Sequence, residues 1–261
     1  MTLTRHLLFQ LSDLHLLEDP AGRLRSGANP LENLERAIET IVSSTAPPDG
    51  IVLSGDLSDD GSPQSYRALA DQVASLEERT GARTIIAAGN HDEREALREH
   101  LLGQEPSDEP LSGVVWLGGL RVVTLDTTIP GSDAGSLDAG QLEWLQTVLE
   151  TPAPLGTVLV LHHPPVPSPI RPMTAIALDD PALLARAIAG SDVTLILAGH
   201  NHHATLGMLG PTPVWVSPAV AYRADVMNED EFRGLTGSAF TRIDMVDKQP
   251  LVTVVPVGDS R

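Results

Sequence analysis

Apolar and polar positions follow two rhythms along the chain. Short runs rich in Val, Ile and Leu recur at Leu7–Ser12, Ile51–Ser54, Thr84–Ala88, Val122–Leu125, Thr157–Leu161 and Val193–Ala198. They return late in the chain at Val214–Ser217, Thr241–Met245 and Val252–Val257. Their length and β-branched content predict strands. Between them, Leu31–Ser43, Gln64–Glu78, Glu93–Leu102, Asp138–Leu149 and Pro181–Ala189 carry apolar residues at three- and four-residue spacing, which predicts surface helices. Pro30 and Pro181 stand where the first turn of a helix tolerates proline. Pro/Gly-rich pieces at 46–50, 105–110, 151–156 and 164–172 separate the runs and read as loops. No internal repeat or long low-complexity linker interrupts the pattern. The expectation is a single α/β or layered α+β domain over residues 1–261, not a helical bundle.

The residues just past the strands carry the chemistry. Run after run ends in a polar cluster: Ser12-Asp13-Leu14-His15, Gly55-Asp56, Gly89-Asn90-His91-Asp92, His162-His163 and Gly199-His200-Asn201-His202. The carboxyl ends of strands in an open sheet gather on one edge, so these five clusters are expected to converge. A pair of metal ions about 3.5–4 Å apart needs a bridging carboxylate, imidazoles and a neutral carbonyl oxygen. Asp13 and His15, two apart on an extended segment, can reach one ion, and His200 with His202 repeats that spacing. Asp56, alone after a glycine, is the natural bridge. Asn90 offers an amide oxygen and His162 an imidazole.

Composition narrows the choice of ligand. The chain has no cysteine, so any metal must sit among oxygen and imidazole donors. Against 17 Lys and Arg stand 35 Asp and Glu, a formal charge of −18, which repels nucleic-acid polymers and disfavours a nuclease. A small anion can still bind where cations dominate the local field. The first residues lack the length and cleavage site of a signal peptide, and no run approaches a membrane span, so the expectation is a cytoplasmic protein acting away from membranes.

At these residues the chain closely resembles the calcineurin-like metallophosphoesterase superfamily, whose signature is Asp-x-His, Gly-Asp, Gly-Asn-His-Asp/Glu, a later His, and Gly-His-x-His. All five blocks occur in order between residues 13 and 202. The resemblance implies a four-layer αββα sandwich of two mixed β-sheets flanked by helices, with residues 203–261 supplying final strands and substrate-facing loops. It implies one metal on Asp13, His15, Asp56 and His202, and the other on Asp56, Asn90, His162 and His200. His91 becomes the catalytic non-ligand histidine, with substrate contacts at Asn90, His91 and His202. Iron and manganese are the metals implied, with zinc and cobalt also suited to such donors. The segments Gly55-Asp56-Leu57-Ser58-Asp59, Leu125-Asp126-Thr127, Leu161-His162-His163-Pro164-Pro165 and Leu197-Ala198-Gly199-His200 are similar to the bacterial class III cyclic nucleotide phosphodiesterases, the actinobacterial members in particular. That likeness implies hydrolysis of 3′,5′-cyclic nucleotides such as cAMP to 5′-monophosphates by metal-activated hydroxide. It fades beyond about residue 217. Homodimers occur among such relatives.

Two other functions compete for the same residues. A glycerophosphodiester or a nucleotide-linked lipid precursor would suit the same chemistry, whereas a non-catalytic scaffold is disfavoured because every ligand position is filled. His6, His100 and His203 match no ligand position, and His163, Asp92 and Asp126 are expected to support structure or orient ligands. Trp144 and Trp215 read as core. With aromatics at 3%, a nucleotide base needs other partners, and the loops Pro164–Asp179 and Pro218–Gly237 are candidates for lining its pocket. The acidic run 228–231 reads as a solvated loop or helix start.

Overall fold

The computed structural model of the chain describes residues 4–258. β1 (Arg5–Leu11), β2 (Gly50–Ser54) and β3 (Arg83–Ala87) run parallel, linked through α1 (Pro30–Val42) and α2 (Pro63–Thr80), and α3 (Arg94–His100) follows β3. A hairpin of β4 (Gly113–Leu117) and β5 (Leu120–Thr124) leads into α4 (Ala139–Leu149) and β6 (Thr157–Val160). Next come α5 (Arg171–Ala175), α6 (Pro181–Ala187) and β7 (Val193–Ala198), after which β8 (Thr205–Leu209) doubles back on β9 (Thr212–Val216). A short ribbon of β10 (Arg223–Ala224) and β11 (Gly234–Leu235) precedes the long hairpin of β12 (Ser238–Val246) and β13 (Gln249–Val257).

The strands form two mixed sheets, ordered β13-β12-β1-β2-β3 and β4-β5-β6-β7-β9-β8, and helices cover both outer faces. The layered sandwich expected from the resemblance is the architecture observed. Every residue of β2 is buried because each face has its own cover: Val52 meets the other sheet, while Ile51 and Leu53 meet the helices. Leu8, Ile243 and Met245 join Val52 against Val122, Val158, Val160, Leu195 and Leu197 between the sheets. Leu34, Ile38 and Ile41 of α1 and Tyr66, Leu69 and Leu76 of α2 seal one outer face. Leu145, Leu149, Leu184 and Ile188 belong to the layer that seals the other. Near the carboxyl ends, buried Gln10 links the sheets by donating to Ser54 Oγ and to Ala198 O, each at 2.9 Å.

Helix boundaries follow cap chemistry. Asn29 accepts from the Glu32 N–H with Pro30 in the first turn, and Ser62 does the same for Ser65 ahead of Pro63. The glycine Gly81 ends α2 at φ 72°, a left-handed C-cap. α3 is shorter than its periodic stretch, because Leu101 and Leu102 fall beyond its last turn. Four strands lie outside the expected pattern. β4 and β8 are edge strands with alternating exposure, the latter broken by Gly207, and β10 and β11 are only two residues each. Among the described residues no helix is long and apolar enough to cross a membrane.

Candidate metal centre

The parallel strands β1, β2, β3, β6 and β7 deliver their carboxyl ends to one edge of the sandwich, and the five polar clusters follow them there. Backbone hydrogen bonds stitch these ends together. The Asp13 N–H donates to Gly55 O at 3.0 Å, His15 N–H to Asp56 O at 2.9 Å, and Gly199 N–H to His162 O at 3.0 Å. The local backbone is not the extended segment expected around Asp13 and His15. Asp13, His15, Asp56, His200 and His202 all have left-handed φ, between 48° and 70°. A non-glycine residue in that region is strained by roughly 1–2 kcal/mol, so the fold holds these five side chains against local preference.

Two buried groups result. Donor atoms of Asp13, His15, Asp56 and His202 lie within 4.8 Å of one another, and so do those of Asp56, His162 and His200. Asp56 belongs to both. Its Oδ2 is 3.5 Å from His15 Nε2 and 3.2 Å from His162 Nε2. His15 Nε2 and His202 Nε2 face each other at 3.0 Å, and His202 Nε2 is 3.5 Å from Asp13 Oδ1. The neighbouring histidines His200 and His202, which the residue pattern alone sends to one ion, divide between the two groups.

The donor set fits metal ions on its own evidence. Asp13 Oδ2, Asn90 Oδ1 and His200 Nε2 are buried, and none has a hydrogen-bond partner among the described residues. Buried polar atoms left in that state cost about 1–3 kcal/mol each, and a cation removes the cost. Burial, with protonated His162 as neighbour, pushes the His200 imidazole well below its ordinary value, and burial holds His202 down at about 4. Both therefore stand ready as neutral ligands. Burial alone would raise Asp56, but the imidazoles of His162, His15 and His91 draw it well below the carboxylate range.

Neighbouring groups fix the orientation of these donors. His15 Nδ1 is 2.9 Å from Asp59 Oδ1, and His162 Nδ1 donates to Ser54 O at 2.8 Å, so each presents Nε2 inward. The His202 Nδ1–H donates to Tyr222 O at 3.0 Å. His91 is exposed: its backbone N–H donates to Asp56 Oδ1, and its Nδ1 meets Asp59 O at 2.9 Å. Asp92 ties two loops together by accepting from the N–H groups of Gly89, Leu57 and Ser58 and from the Tyr66 hydroxyl at 3.0 Å. His163 turns away from the centre to Thr127 Oγ1 and Asp133 O. His203 is held by Ser168 and Thr205.

A cavity of about 690 Å³ opens beside this centre, with Asp59, His91 and Tyr222 in its lining. The loop 218–237 contributes Tyr222, Phe232 and Arg233, in line with the expectation from sequence. The loop 164–179 contributes nothing; Ser168 is turned to His203, and Arg171 pairs with Glu229 and Asp230. The wall expected of that loop comes instead from the segment after β1, through Leu17, Arg23 and Arg25. Sequence reasoning picks out neither Asp59 nor Tyr222 as a site residue. A tyrosine inside a suspected substrate loop is the available signal, because the chain has only two.

The calcineurin-like phosphoesterase model matches residues 7–204. The chain is 39% identical over 256 residues to the probable cyclic nucleotide phosphodiesterase of Rhodococcus erythropolis, covering 97% of this chain and 84% of that one. It is 38% identical over 255 residues to the cAMP/cGMP dual specificity phosphodiesterase of Mycobacterium tuberculosis, covering 97% and 80%. The likeness thus continues past residue 217, where the motifs run out. Among solved structures, a dimetal phosphatase from Danio rerio superposes with a TM-score of 0.63 at 15% identity over 95% of this chain and 98% of that one, a likeness of fold. With a family model spanning most of the chain and relatives matching nearly its whole length, this protein belongs to the calcineurin-like phosphoesterase family.

Proposed function

We propose that this protein hydrolyses 3′,5′-cyclic nucleotides such as cAMP to 5′-nucleoside monophosphates, as a single domain built around a two-metal centre. One observation carries the metal-centre part of the reading: two buried donor groups share Asp56, the arrangement that two neighbouring cations require. The substrate class is supported by what the two relatives of 38–39% identity are named for. Asp13, His15, Asp56 and His202 would hold one ion, and Asp56, Asn90, His162 and His200 the other. This carboxylate, imidazole and amide set suits iron and manganese, our proposed occupants, and also admits zinc or cobalt. When bound, such a pair supplies the charge that neutralises phosphoryl oxygens and lowers the pKa of water towards about 7.

The remaining work falls to the chain's own groups. Asp59 O accepts the His91 Nδ1 proton, which leaves Nε2 as the nitrogen that faces reaction chemistry. As water attacks phosphorus in line and the P–O3′ bond breaks, His91 acts as the imidazolium. Its Nδ1–H stays on Asp59 O, the Nε2 proton passes to the departing O3′, and the proton released by the attacking water restores Nε2–H through solvent. Asp59 Oδ1 meanwhile keeps the His15 ring turned inward. Asn90, whose Oδ1 has no other partner among the described residues, and His202 would stand beside the phosphate. Tyr222 and Phe232 wall the adjoining cavity, where the nucleoside would lie.

The test combines elemental analysis with turnover. Wild type should bind two equivalents of metal and open cAMP faster than glycerophosphodiesters. Asp56→Ala should lose metal and slow hydrolysis of bis-(p-nitrophenyl) phosphate by more than about 100-fold. Equal rates for the variant and wild type would refute the site, and slow cAMP turnover beside fast glycerophosphodiester turnover would refute the substrate.

A further inference from the structure

The cavity beside the metal centre is largely apolar, with its positive charge concentrated in arginine. Arg23, Arg25 and Arg233 all line it, in a chain with twice as many acidic as basic residues. Arg23 is anchored on Gly27 O at 3.0 Å. Arg25 and Arg233 are exposed, and neither guanidinium makes a hydrogen bond or ion pair among the described residues. Asp59 is the sole carboxylate in the lining among the described residues, and its Oδ1 is engaged by His15. The two free arginines come from different segments, which meet where Gly234 packs against Tyr222 and lies close to Ser26. Tyr222 and Phe232 supply flat apolar surface on the same wall.

A purine in this cavity meets apolar wall and three arginines. Guanine offers two acceptors on one edge, O6 and N7, whereas adenine offers N7 beside an amino donor. The planar fork of arginine matches the guanine pair in a bidentate way. An adenine amino group would need an acceptor, and the one carboxylate in the lining, Asp59, has Oδ2 left for it once His15 engages Oδ1. The volume, about 690 Å³, lies within the roughly 300–1,000 Å³ of pockets that enclose small ligands.

Resting on the cyclic nucleotide reading, we propose that this cavity selects guanine over adenine, with Arg25 and Arg233 as the specificity-determining donors to O6 and N7. A bidentate contact of this kind discriminates by roughly 5- to 100-fold. The metal-loaded enzyme is assayed with cyclic GMP, cyclic AMP, cyclic IMP and 7-deaza-cyclic GMP. The expected result is a kcat/KM for cyclic GMP above that for cyclic AMP by about that factor. Cyclic IMP should follow cyclic GMP because it keeps O6 and N7, and the 7-deaza analogue should lose part of the advantage. In Arg25→Met and Arg233→Met the ratio of the two natural substrates should fall towards one. Equal rates in wild type, a preference for cyclic AMP, or variants that lose both substrates by one factor would overturn the proposal. The last outcome would assign the arginines to general attraction of phosphate.

Inhibition of bis-(p-nitrophenyl) phosphate hydrolysis by 5′-GMP and 5′-AMP separates this proposal from the reading beneath it. Tighter inhibition by GMP supports base selection even where cyclic nucleotides are not turned over. Equal inhibition overturns base selection and leaves the cyclic nucleotide reading standing.

Discussion

At the scale of single residues, the centre is built from conformations that its side chains resist. Five of the proposed ligands occupy left-handed backbone, and two glycines let the loops close behind them. A Cβ on Gly89 would lie 2.2 Å from Asp56 N, and one on Gly199 would lie 2.0 Å from Ser12 Oγ. Gly89→Ala must therefore displace Asp56. We expect about 1–3 kcal/mol of lost stability in urea unfolding and a fall in activity of about 100-fold, the cost of roughly 1 Å of misplacement. The ligand cluster also carries a conflict between function and stability. Asp13 and Asp56 are two buried carboxylates in one donor group, and Asp13 Oδ2 has no partner among the described residues. Asp13→Asn keeps the shape and removes one charge, so above about pH 9, where the raised His162 and His15 have given up their protons, the metal-stripped variant should melt above the stripped wild type. Metal should then raise its Tm by less than it raises that of wild type, which differential scanning fluorimetry with and without chelator will show. Residue type and spacing in the sequence announce the donors. They cannot announce the left-handed backbone, since Asp and His seldom adopt it and only the surrounding hydrogen bonds impose it.

At the scale of elements, the buried strands are visible in the sequence and the edges are not. β2, β6 and β7 are near-continuous apolar runs because both faces are covered, and that signature survives in sequence. β4 and β8 have one exposed face, contain or adjoin glycine, and acquire strand geometry from pairing with β5 and β9. Cross-element polar links are equally silent. Tyr66 lies within a stretch that reads as an amphipathic helix, yet its hydroxyl donates to Asp92 and accepts from the Glu93 N–H at 2.9 Å. Through it α2 clamps the loop that carries Asn90 and His91. Tyr66→Phe takes the acceptor from the part-buried Glu93 N–H and a donor from the Asp92 carboxylate, which burial has already pushed up to about 6. The expected cost is about 1–3 kcal/mol by urea unfolding, together with weaker metal retention during dialysis. Unchanged stability would mean that the clamp is a coincidence of packing.

At the scale of the whole molecule, net charge describes the surface well and the site badly. A charge of −18 argues against polyanions, but three arginines gathered on one cavity lie outside what a sum can report. The same holds for protons at the centre. Burial lowers the His162 imidazole, but Asp56 and Asp13 outweigh that and raise it to about 9, and Asp59 and Asp56 likewise raise His15 against burial. In the metal-stripped protein these two raised histidines contribute stability that is complete below their unfolded value near 6.5. It is lost as pH climbs towards 9. His202 and His163, held near 4 and 3, are neutral in the folded protein across that interval, and they add no slope once their unfolded counterparts have deprotonated, above about pH 7.5. The stripped protein should therefore lose Tm from about pH 7.5 to 9. Metal must displace the same protons, so its apparent affinity should strengthen by up to about tenfold per pH unit for each proton released over that range. Loaded and stripped protein should diverge steadily as pH rises, a pattern that melting curves at fixed free metal can test directly. Parallel curves would mean that no proton leaves this cluster when metal arrives, and the shared-aspartate centre would lose its physical basis.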